Sequence, residues 1–278
     1  MTGAACVGEQ LAKHLAVRGS NLQPSDRDEA RLAAVADRIA RDNPTVTARI
    51  TVFDLDAIEN LPELAEDVIK DGVPTLLVNN AGIALGGQFE RLTLEEFDWV
   101  MRVNSRAAVG LTHNLLPALL RSPGSHVVNV SSVYGLVTPR GQSAYVASKF
   151  ALRGFSDVLR LELFDHGVGV TDCLSRRGTN TNRRELAPRR RSSGPGVRSW
   201  RDWVAGRLTY PPERAAAEIL AAVQRRRPRV LITQTAHFLD VIARLAPAGQ
   251  AEALERVFGR DRHRRARAPR HTALSIER

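Results

Sequence analysis

Short β-branched segments and longer amphipathic segments alternate along the sequence, and this alternation constrains the fold more than any other feature. Strands are predicted at residues 48–53, 75–78, 126–130 and 168–173, with a weak strand at 21–25 and a last one at 230–233. Helices are predicted at residues 8–17, 29–41, 61–70, 94–120, 145–164, 212–225 and 238–245. Because repeated strand–helix–strand units build a parallel sheet, the sequence predicts a doubly wound α/β fold.

The domain boundaries follow from the distribution of apolar periodicity. The chain of 278 residues is long enough for a single domain with a sizeable core, which we expect to span residues 1–258. Residues 183–205 lack an apolar period and are rich in Arg, Pro, Gly and Ser, which predicts an arginine-rich lid. Residues 259–278 are polar and basic, and we expect them to be disordered.

The formal net charge is +10, from 40 Lys and Arg residues against 30 Asp and Glu residues. The basic surplus is concentrated in residues 183–201, 225–229 and 260–278. A basic tail can bind nucleic acid, but this tail lacks the interleaved aromatic side chains on which bases stack. Nucleic acid is therefore an unfavoured partner for this protein, in spite of the basic charge.

Hydropathy gives no sign of a membrane segment. No stretch approaches the roughly 18 uncharged apolar residues of a membrane span, and the N-terminus lacks a basic-then-apolar signal pattern. We therefore expect a soluble, cytoplasmic protein. Cys6 and Cys173 lie far apart with no metal-ligand spacing around them, so neither a disulfide framework nor a metal site is predicted.

Tyr145 and Lys149 are four residues apart on a predicted helix, which places both side chains on the same face. A nearby ammonium group favours the phenolate form of a tyrosine, so such a pair can form an acid/base unit. Ser132 comes two residues after the predicted strand 126–130, where its hydroxyl can hold a substrate oxygen at the carboxyl edge of the sheet. A Tyr and Lys pair at this spacing is common in helices, and the combination with Ser132 is what points to catalysis.

Three motifs occur in a fixed order along the chain. Residues 79–82, Asn-Asn-Ala-Gly, follow one predicted strand, residues 128–132 read Val-Asn-Val-Ser-Ser at the end of another, and Tyr145 and Lys149 form a YxxxK motif. This set resembles the signatures of the short-chain dehydrogenase/reductase family, classical type, over residues 2–245. The resemblance implies a Rossmann-like single domain and an NAD(P)-dependent oxidoreductase that transfers hydride between a nicotinamide cofactor and a secondary alcohol or ketone.

The resemblance also implies four catalytic residues. Tyr145 exchanges a proton with the substrate oxygen, while Lys149 favours the phenolate and holds the nicotinamide ribose. Ser132 orients the substrate oxygen, and Asn104 matches the asparagine that supports a proton-relay water. Alternatively, Asn104 is only a polar residue that bends its helix and has no catalytic role.

The cofactor that the resemblance implies is NAD, with NADP as the alternative. Asp26 stands where the family places an acid that binds the adenine ribose hydroxyls and repels a 2′-phosphate, although the neighbouring Arg27 can meet that phosphate instead. Asp54 and Leu55 match the family's adenine-contacting dipeptide, although an acid directly after a strand can also be an ordinary helix N-cap. The other implied cofactor-binding residues are Gly3, Gly8, Asn79, Ala81, Gly82 and Thr181, together with the catalytic Tyr145 and Lys149.

The sequence departs from the family in the glycine-rich turn. Residues 1–8 read Met-Thr-Gly-Ala-Ala-Cys-Val-Gly, which is one position shorter than TGxxxGxG and lacks its middle glycine. The apolar first strand expected before Thr2 is absent, which predicts a truncated first strand. Either the start lies upstream of Met1 or the sheet has an unfilled position where this strand belongs. Pro24 lies inside the weak second strand and removes a ladder donor, and Arg176-Arg177 replace the usual Pro-Gly. These departures support an alternative function, a catalytically impaired relative with a defective cofactor site.

The substrate is expected to be a small hydroxyl or carbonyl compound, and its identity follows no simple sequence code. Tyr134, Leu136 and Val137 predict an apolar pocket for it. By the same resemblance, homodimers or homotetramers are expected to assemble through the helices at 94–120 and 145–164.

Overall fold

The structure is a computed structural model and describes residues 1–174, 210–250 and 252. Within this part of the chain, no helix is both long and apolar enough to span a bilayer. Several predicted features lie outside the described residues, namely the lid, the tail, Thr181 and the Arg176-Arg177 pair.

Helices and strands alternate in the order predicted from the sequence. The helices are α1 (Val7–Val17), α2 (Glu29–Asp42), α3 (Leu61–Lys70), α4 (Leu94–Met101), α5 (Ala107–Leu120), α6 (Ser143–Glu162), α7 (Pro212–Gln224) and α8 (Gln234–Leu245). The strands are β1 (Ser25–Asp26), β2 (Thr51–Val52), β3 (Leu76–Asn79), β4 (His126–Val130), β5 (Gly169–Leu174) and β6 (Arg229–Leu231). A π-helical turn at Arg102–Arg106 joins α4 to α5, so the long helix predicted at 94–120 is interrupted where Asn104 lies.

All strand pairs are parallel, so their carboxyl ends share one edge of the sheet. β1 pairs with β2, while β3, β4, β5 and β6 follow one another in the second part of the sheet. Thr2 forms parallel bridges with both Ser25 of β1 and Asn79 of β3, which joins the two parts. The resulting order is β2, β1, Thr2, β3, β4, β5, β6, and the predicted doubly wound α/β fold is confirmed.

The centre of the sheet holds very little strand. The Thr2 amide donates to the Val78 carbonyl at 2.9 Å, and the Gly3 amide donates to the Ser25 carbonyl at 2.7 Å. The Met1 carbonyl accepts from the Ser25 amide at 2.8 Å. The truncated first strand predicted from the sequence is thus present as one bridging residue with a neighbour on each side.

The second strand is shifted relative to its prediction at 21–25. β1 begins at Ser25, and Leu22 contributes an isolated bridge to Ala48. Pro24 lies between them with no amide hydrogen to donate, although its carbonyl accepts from the Thr51 amide at 3.1 Å. The missing donor interrupts the ladder, which explains why the regular strand begins only after Pro24.

Helices cover both faces of the sheet. On one face, α1 and α7 pack over a core that includes Leu11, Ile219 and Val128. On the other face, α5 and α6 pack over Leu119 and Val127. The neighbouring residues Val127 and Val128 of β4 point to opposite cores, as the alternation of side chains along a strand requires. Burial on both sides explains why β4 is buried along its whole length.

His126 begins β4 and is buried. Its Nε2 lies 2.8 Å from the Thr171 hydroxyl, and that hydroxyl donates to the Arg227 carbonyl at 2.7 Å. Burial, and to a smaller extent the Arg226 guanidinium, lowers the pKa of His126 to about 4. The folded protein therefore holds a neutral imidazole here at neutral pH.

Lowering the pH from 7 to 4 is expected to reduce the free energy of unfolding through His126. The unfolded histidine takes up a proton near pH 6.5 and the folded one only near pH 4, so its stabilising contribution is complete above pH 6.5 and is lost as the pH falls toward 4. The loss amounts to roughly 2–3 kcal/mol. Because other groups titrate over the same range, the loss is measured by urea unfolding as the difference in pH dependence between the wild type and His126→Gln, which lacks the titrating side chain. An equally steep pH dependence in that variant would contradict the assignment to His126.

Candidate active site

A cavity of about 160 Å³ lies at the carboxyl edge of the sheet, between the N-terminal turn and the first turns of α6. Gly8, Asn79, Asn104 and Ser132 were predicted for the site but do not line this cavity. The predicted site residues that do line it are Gly3, Asp26, Asp54, Leu55, Ala81, Gly82, Tyr145 and Lys149. The structure therefore brings the Tyr and Lys pair and the acid after β1 into one space.

Tyr145 and Lys149 lie in the first two turns of α6, which begins two residues before Tyr145. Both side chains are buried, with 7% of Tyr145 and 3% of Lys149 exposed. The Lys149 amino group donates to the Val130 carbonyl at the end of β4 at 3.0 Å, and it lies 5.7 Å from the centre of the Tyr145 ring. A cation is thus fixed beside the phenol by a backbone hydrogen bond.

Two serines follow β4, and the structure gives them different surroundings. The Ser132 hydroxyl accepts from the Tyr134 amide at 3.2 Å, which closes the turn after the strand. The Ser131 hydroxyl donates to the Lys149 carbonyl at 3.1 Å, and Ser131 lines the cavity. The sequence analysis named Ser132 and did not consider Ser131, because a motif does not say which of two neighbouring side chains faces a given cavity. The role of Ser132 stays a prediction.

Asn104 lies in the π-helical turn and is 1% exposed. Its side chain accepts from the Ile83 amide at 2.7 Å and donates to the Ile83 carbonyl at 2.9 Å. It also donates to the Ser148 hydroxyl at 2.9 Å, and Ser148 donates to the Tyr145 carbonyl at 2.8 Å. The side chain therefore holds the loop after β3 against α6, near Tyr145 and Lys149, in the kind of helical irregularity that often marks functional sites.

Two glycines are required by close approaches around the site. A Cβ atom on Gly82 would lie 3.1 Å from Asn104 Oδ1 and 3.4 Å from Lys149 Nζ, so a side chain there would crowd Asn104 and touch the lysine. A Cβ atom on Gly8 would lie 1.8 Å from the Gly3 carbonyl oxygen, which no side chain can do. Gly8 therefore lets the N-terminal turn close onto α1, although it does not line the cavity itself.

The first of the two asparagines after β3 does not reach the cavity. Asn79 is 4% exposed and donates to Asn129 Oδ1 at 2.8 Å, which ties β3 to β4. Asn80 lines the cavity instead, and its side chain donates to the carbonyls of Thr2 and Gly3 at 3.2 and 3.1 Å. Asn80 is therefore the asparagine that lines the cavity, and cofactor binding by Asn79 stays a prediction.

Cys6 is the last residue of the shortened turn before α1, and it lines the cavity. Its φ is 50°, in the left-handed region that favours glycine, and its side chain forms no cap hydrogen bond with the helix. The turn is fixed from the other side by the Thr2 hydroxyl, which accepts from the amides of Asn80 and Ala81 at 3.1 and 3.2 Å. The shortened turn is therefore held against the loop after β3, and its backbone is strained at Cys6.

The end of the cavity near β1 carries charges of both signs. The Asp26 carboxylate accepts from the Ala4 amide at 2.7 Å, which ties β1 to the N-terminal turn. Arg27 and Arg31 line the cavity beside it, and sequence reasoning had noticed only the first of them. The nearest Asp54 oxygen lies 3.9 Å from Arg27, so part of the positive charge is offset.

Asp54 and Leu55 line the cavity from the loop that follows β2. The Asp54 carboxylate accepts from the Asp56 amide at 3.0 Å. Asp54 thus stabilises its own turn, which is similar to the N-cap role given above as its structural alternative. It also forms part of the cavity wall.

The predicted apolar pocket is only partly at the site. Leu136 and Val137 are 2% and 0% exposed and belong to a core cluster with Leu239 of α8. Tyr134 is half-buried, and its ring packs edge to face on Tyr145 with the ring centres 5.8 Å apart. Tyr134 is thus the one of these three that packs against the phenol of the active site.

The fold and the cavity define an α/β protein in which a Tyr and Lys pair and an N-terminal turn share one site. The profile of the family described as "short chain dehydrogenase" matches residues 1–186. A Mycobacterium tuberculosis protein described as "Putative oxidoreductase SadH" is 32% identical over 252 residues, which cover 88% of this chain and 89% of that protein. The Xenopus laevis "Dehydrogenase/reductase SDR family member 7B" is 32% identical over 254 residues, which cover 89% of this chain and 77% of that protein.

Solved structures share the fold. A short-chain dehydrogenase from Streptomyces avermitilis superposes with a TM-score of 0.78 at 26% identity, over 94% of this chain and 97% of that one. A metagenomic short-chain oxidoreductase in complex with NADP superposes with a TM-score of 0.66 at 25% identity, over 83% of this chain and 94% of that one. The chain belongs to the short-chain dehydrogenase/reductase family of oxidoreductases, as its motifs predicted.

Replacing Cys6 by glycine is expected to stabilise the fold by about 1 kcal/mol. Relief of the left-handed conformation contributes roughly 1–3 kcal/mol, and the freedom of glycine in the unfolded chain offsets roughly 0.5–1 kcal/mol of it. Cys6→Ala is the matched control, because it removes the thiol and keeps the backbone conformation. Urea unfolding of the three proteins measures the difference. If Cys6→Gly is no more stable than Cys6→Ala, the turn is not strained at this residue.

Proposed function

We propose that the protein is an NAD(P)-dependent oxidoreductase that transfers hydride between a nicotinamide cofactor and a secondary alcohol or ketone, with Tyr145 as the acid/base. The observation that carries the proposal is the buried Tyr145 and Lys149 pair at the cavity, with the lysine fixed on the Val130 carbonyl. A phenol beside a fixed cation at this edge of a parallel sheet is placed to exchange a proton with a bound oxygen.

The residues of the cavity fit a dinucleotide, which supplies the hydride acceptor or donor when it is bound. Gly3, Cys6 and Val7 line the cavity at the N-terminus of α1, where a helix can bind a pyrophosphate. Asp26 reaches the same cavity and can accept hydrogen bonds from ribose hydroxyls. Lys149 can hold the nicotinamide ribose. Further cofactor contacts are proposed for Asp54, Leu55, Ala81, Gly82 and Thr181.

The proton transfer is assigned to α6 and the turn after β4. Tyr145 donates its phenolic proton to a carbonyl oxygen in the reductive direction, and it accepts a proton from an alcohol in the oxidative direction. The Ser132 hydroxyl accepts from the Tyr134 amide, so its own hydrogen is available for the substrate oxygen. Asn104 acts as a positioning residue, since its side chain contacts the loop after β3 and α6 rather than the cavity.

We propose NAD as the preferred form of the cofactor. The charge of Asp26 opposes a 2′-phosphate in the cavity. Arg27 and Arg31 would attract a 2′-phosphate. Their charge is offset, because Arg27 lies 3.9 Å from Asp54 and Arg31 lies 3.3 Å from Asp28. The metagenomic relative was solved with NADP, which makes NADP the alternative.

A second candidate function is that of a relative with impaired cofactor binding. One observation favours it: Cys6, in the shortened turn before α1, has a φ of 50°, a backbone conformation that favours glycine. This turn lies on the cofactor side of the cavity, whereas Tyr145 and Lys149 keep their places. The two candidates therefore differ in cofactor affinity.

Titration with NADH and with NADPH, followed by nicotinamide fluorescence, separates these candidates. We expect saturable binding of NADH in the micromolar range, and about tenfold weaker binding of NADPH, which corresponds to about 1.4 kcal/mol of repulsion at Asp26. Tyr145→Phe keeps the ring and should bind NADH as the wild type does. The absence of a saturable signal at millimolar NADH would exclude the active enzyme and support the impaired relative.

Turnover is measured with a panel of secondary alcohols and NAD, and of ketones and NADH, by nicotinamide absorbance. Tyr145→Phe is expected to lower kcat by a factor of roughly 10²–10⁴, because the variant has no proton to exchange with the substrate oxygen. Its NADH affinity, measured as above, is the control for an intact site. A variant that turns over at the wild-type rate would exclude Tyr145 as the acid/base.

We propose a homodimer, or a homotetramer that contains the same dimer, assembled through α6. Ala151, Gly154, Val158 and Leu161 recur at helical spacing on the exposed face of α6, and 54% of Val158 and 70% of Leu161 are exposed. No described atom lies within 4 Å of a Cβ built on Gly154, so a second helix can approach closely at this point. An apolar stripe of this kind is self-complementary across a two-fold axis.

Val158→Asp is expected to weaken self-association at least tenfold, because it places a charge at the middle of the proposed interface. Sedimentation velocity across a range of protein concentrations measures the association constant. Val17→Asp is the matched control, since Val17 is 76% exposed on a different helix. A monomeric wild type, or a Val158→Asp variant that associates as the wild type does, would rule out this interface.

A further inference from the structure

Outside the cavity, one arginine faces three carboxylates that come from three different elements. Arg229 of β6 has Nη2 3.1 Å from Asp157 of α6, Nε 3.9 Å from Asp172 of β5 and Nη1 4.0 Å from Asp240 of α8. A guanidinium carries one positive charge, so it cannot neutralise three carboxylates at once. The two longer contacts exceed hydrogen-bond length, which leaves the arginine room to move between its partners.

Asp172 is the least satisfied member of this cluster. Its side chain is 0% exposed, and its two carboxylate oxygens, like the Arg229 Nε, have no hydrogen-bond partner among the described residues. Burial raises the pKa of Asp172 to about 7, even though the attraction of Arg229 lowers it. Asp172 therefore changes its charge near neutral pH, where an exposed aspartate is ionised.

The other acids of the cluster have additional cations, and Asp172 does not. Asp157 binds Arg160 at 3.0 Å, and Asp240 binds Arg244 at 2.8 Å. Within the described residues, Asp172 has no cation closer than 4 Å other than Arg229. The charged groups that face Asp172 or its partners are Lys149, Arg153, Asp157 and Arg160 on α6, Arg229 on β6, and Asp240 and Arg244 on α8.

Helices α6 and α8 both contact the turn that holds Ser132. On α8, Leu239 belongs to the same core cluster as Leu136, which follows this turn. On α6, Arg153 donates to the Gly135 carbonyl within the turn at 2.9 Å. A shift of α8 relative to α6 would therefore act on the segment that follows Ser132.

We propose that Arg229 clamps α8 to α6 and that the charge on Asp172 sets how firmly the clamp holds. With Asp172 neutral, the guanidinium stays between Asp157 and Asp240 and ties the two helices together. With Asp172 ionised, Arg229 closes the 3.9 Å gap to it, and Asp240 is left to Arg244. Asp172 is then a positioning residue for the substrate side of the active site, and this last step rests on the proposed function.

Hydrogen–deuterium exchange of the full chain without cofactor tests the clamp. Exchange is measured at pH 6 and pH 8, corrected for the intrinsic rate, in peptides that cover α8 and the turn Val133–Gly135. We expect the protection of both segments to be lower at pH 8 than at pH 6 by a factor of about three or more. Equal protection at the two pH values in the wild type would overturn the proposal.

Three variants make the experiment specific. Asp172→Asn keeps the shape of the side chain without the charge, so its protection at pH 8 should equal that of the wild type at pH 6. Asp240→Asn releases α8 from Arg229, and its α8 should exchange fast at both pH values. Asp165→Asn is the control, because this exposed acid lies beyond the end of α6. It should keep the wild-type ratio.

If Asp172→Asn or Asp240→Asn still shows the wild-type ratio of protection between pH 6 and pH 8, the clamp is ruled out. The second of these variants decides the question even if the first does not fold. Because cofactor is absent from the measurement, failure of NADH binding leaves the result intact. The clamp and the proposed oxidoreductase activity can therefore fail independently of each other.

Discussion

The hydrogen bond from the Lys149 amino group to the Val130 carbonyl, 3.0 Å long, fixes the point on which the rest of the site depends. It joins the first turns of α6 to the end of β4 and gives a buried cation a partner, without which burial would cost several kcal/mol. The surroundings are shaped to this contact, since Ser131 donates to the Lys149 carbonyl and Gly82 leaves space for the amino group. The position of Tyr145 then follows from the helix, because the two residues are one turn apart.

The cofactor side of the cavity is held in a different way, by backbone contacts around a nearly missing strand. Thr2 bridges both halves of the sheet, and its hydroxyl accepts from two amides of the loop after β3. Asn80 returns two bonds to the carbonyls of Thr2 and Gly3. These hydrogen bonds hold the N-terminal turn in the sheet in place of a longer strand ladder. Backbone strain in the turn is located at Cys6, whose φ is positive.

The sequence predicted what depends on local pattern. Alternating periods predicted the order of helices and strands, and a spacing of four residues predicted that Tyr145 and Lys149 share a face. It could not decide between Asn79 and Asn80, because that choice depends on which side of the sheet a residue faces where its strand ends. The cluster around Arg229 was not visible either, since the hydrogen bond from Arg229 to Asp157 joins residues 72 positions apart and no short motif records such a contact.

Helix α6 connects the cavity with the Arg229 cluster, because one side of the helix carries charged residues along three successive turns. Lys149 serves the cavity, Arg153 holds the turn after β4, and Asp157 binds Arg229. An aspartate in a strand that is buried at every position, as Asp172 is in β5, is unfavourable unless a nearby charge compensates for it. Arg229 is shared among three carboxylates, so it compensates the charge of Asp172 only in part. The charge on Asp172 therefore also affects Asp157 and Asp240, which compete for the same guanidinium. The chemistry at one end of α6 and the ion pairs along its middle are therefore parts of one electrostatic arrangement.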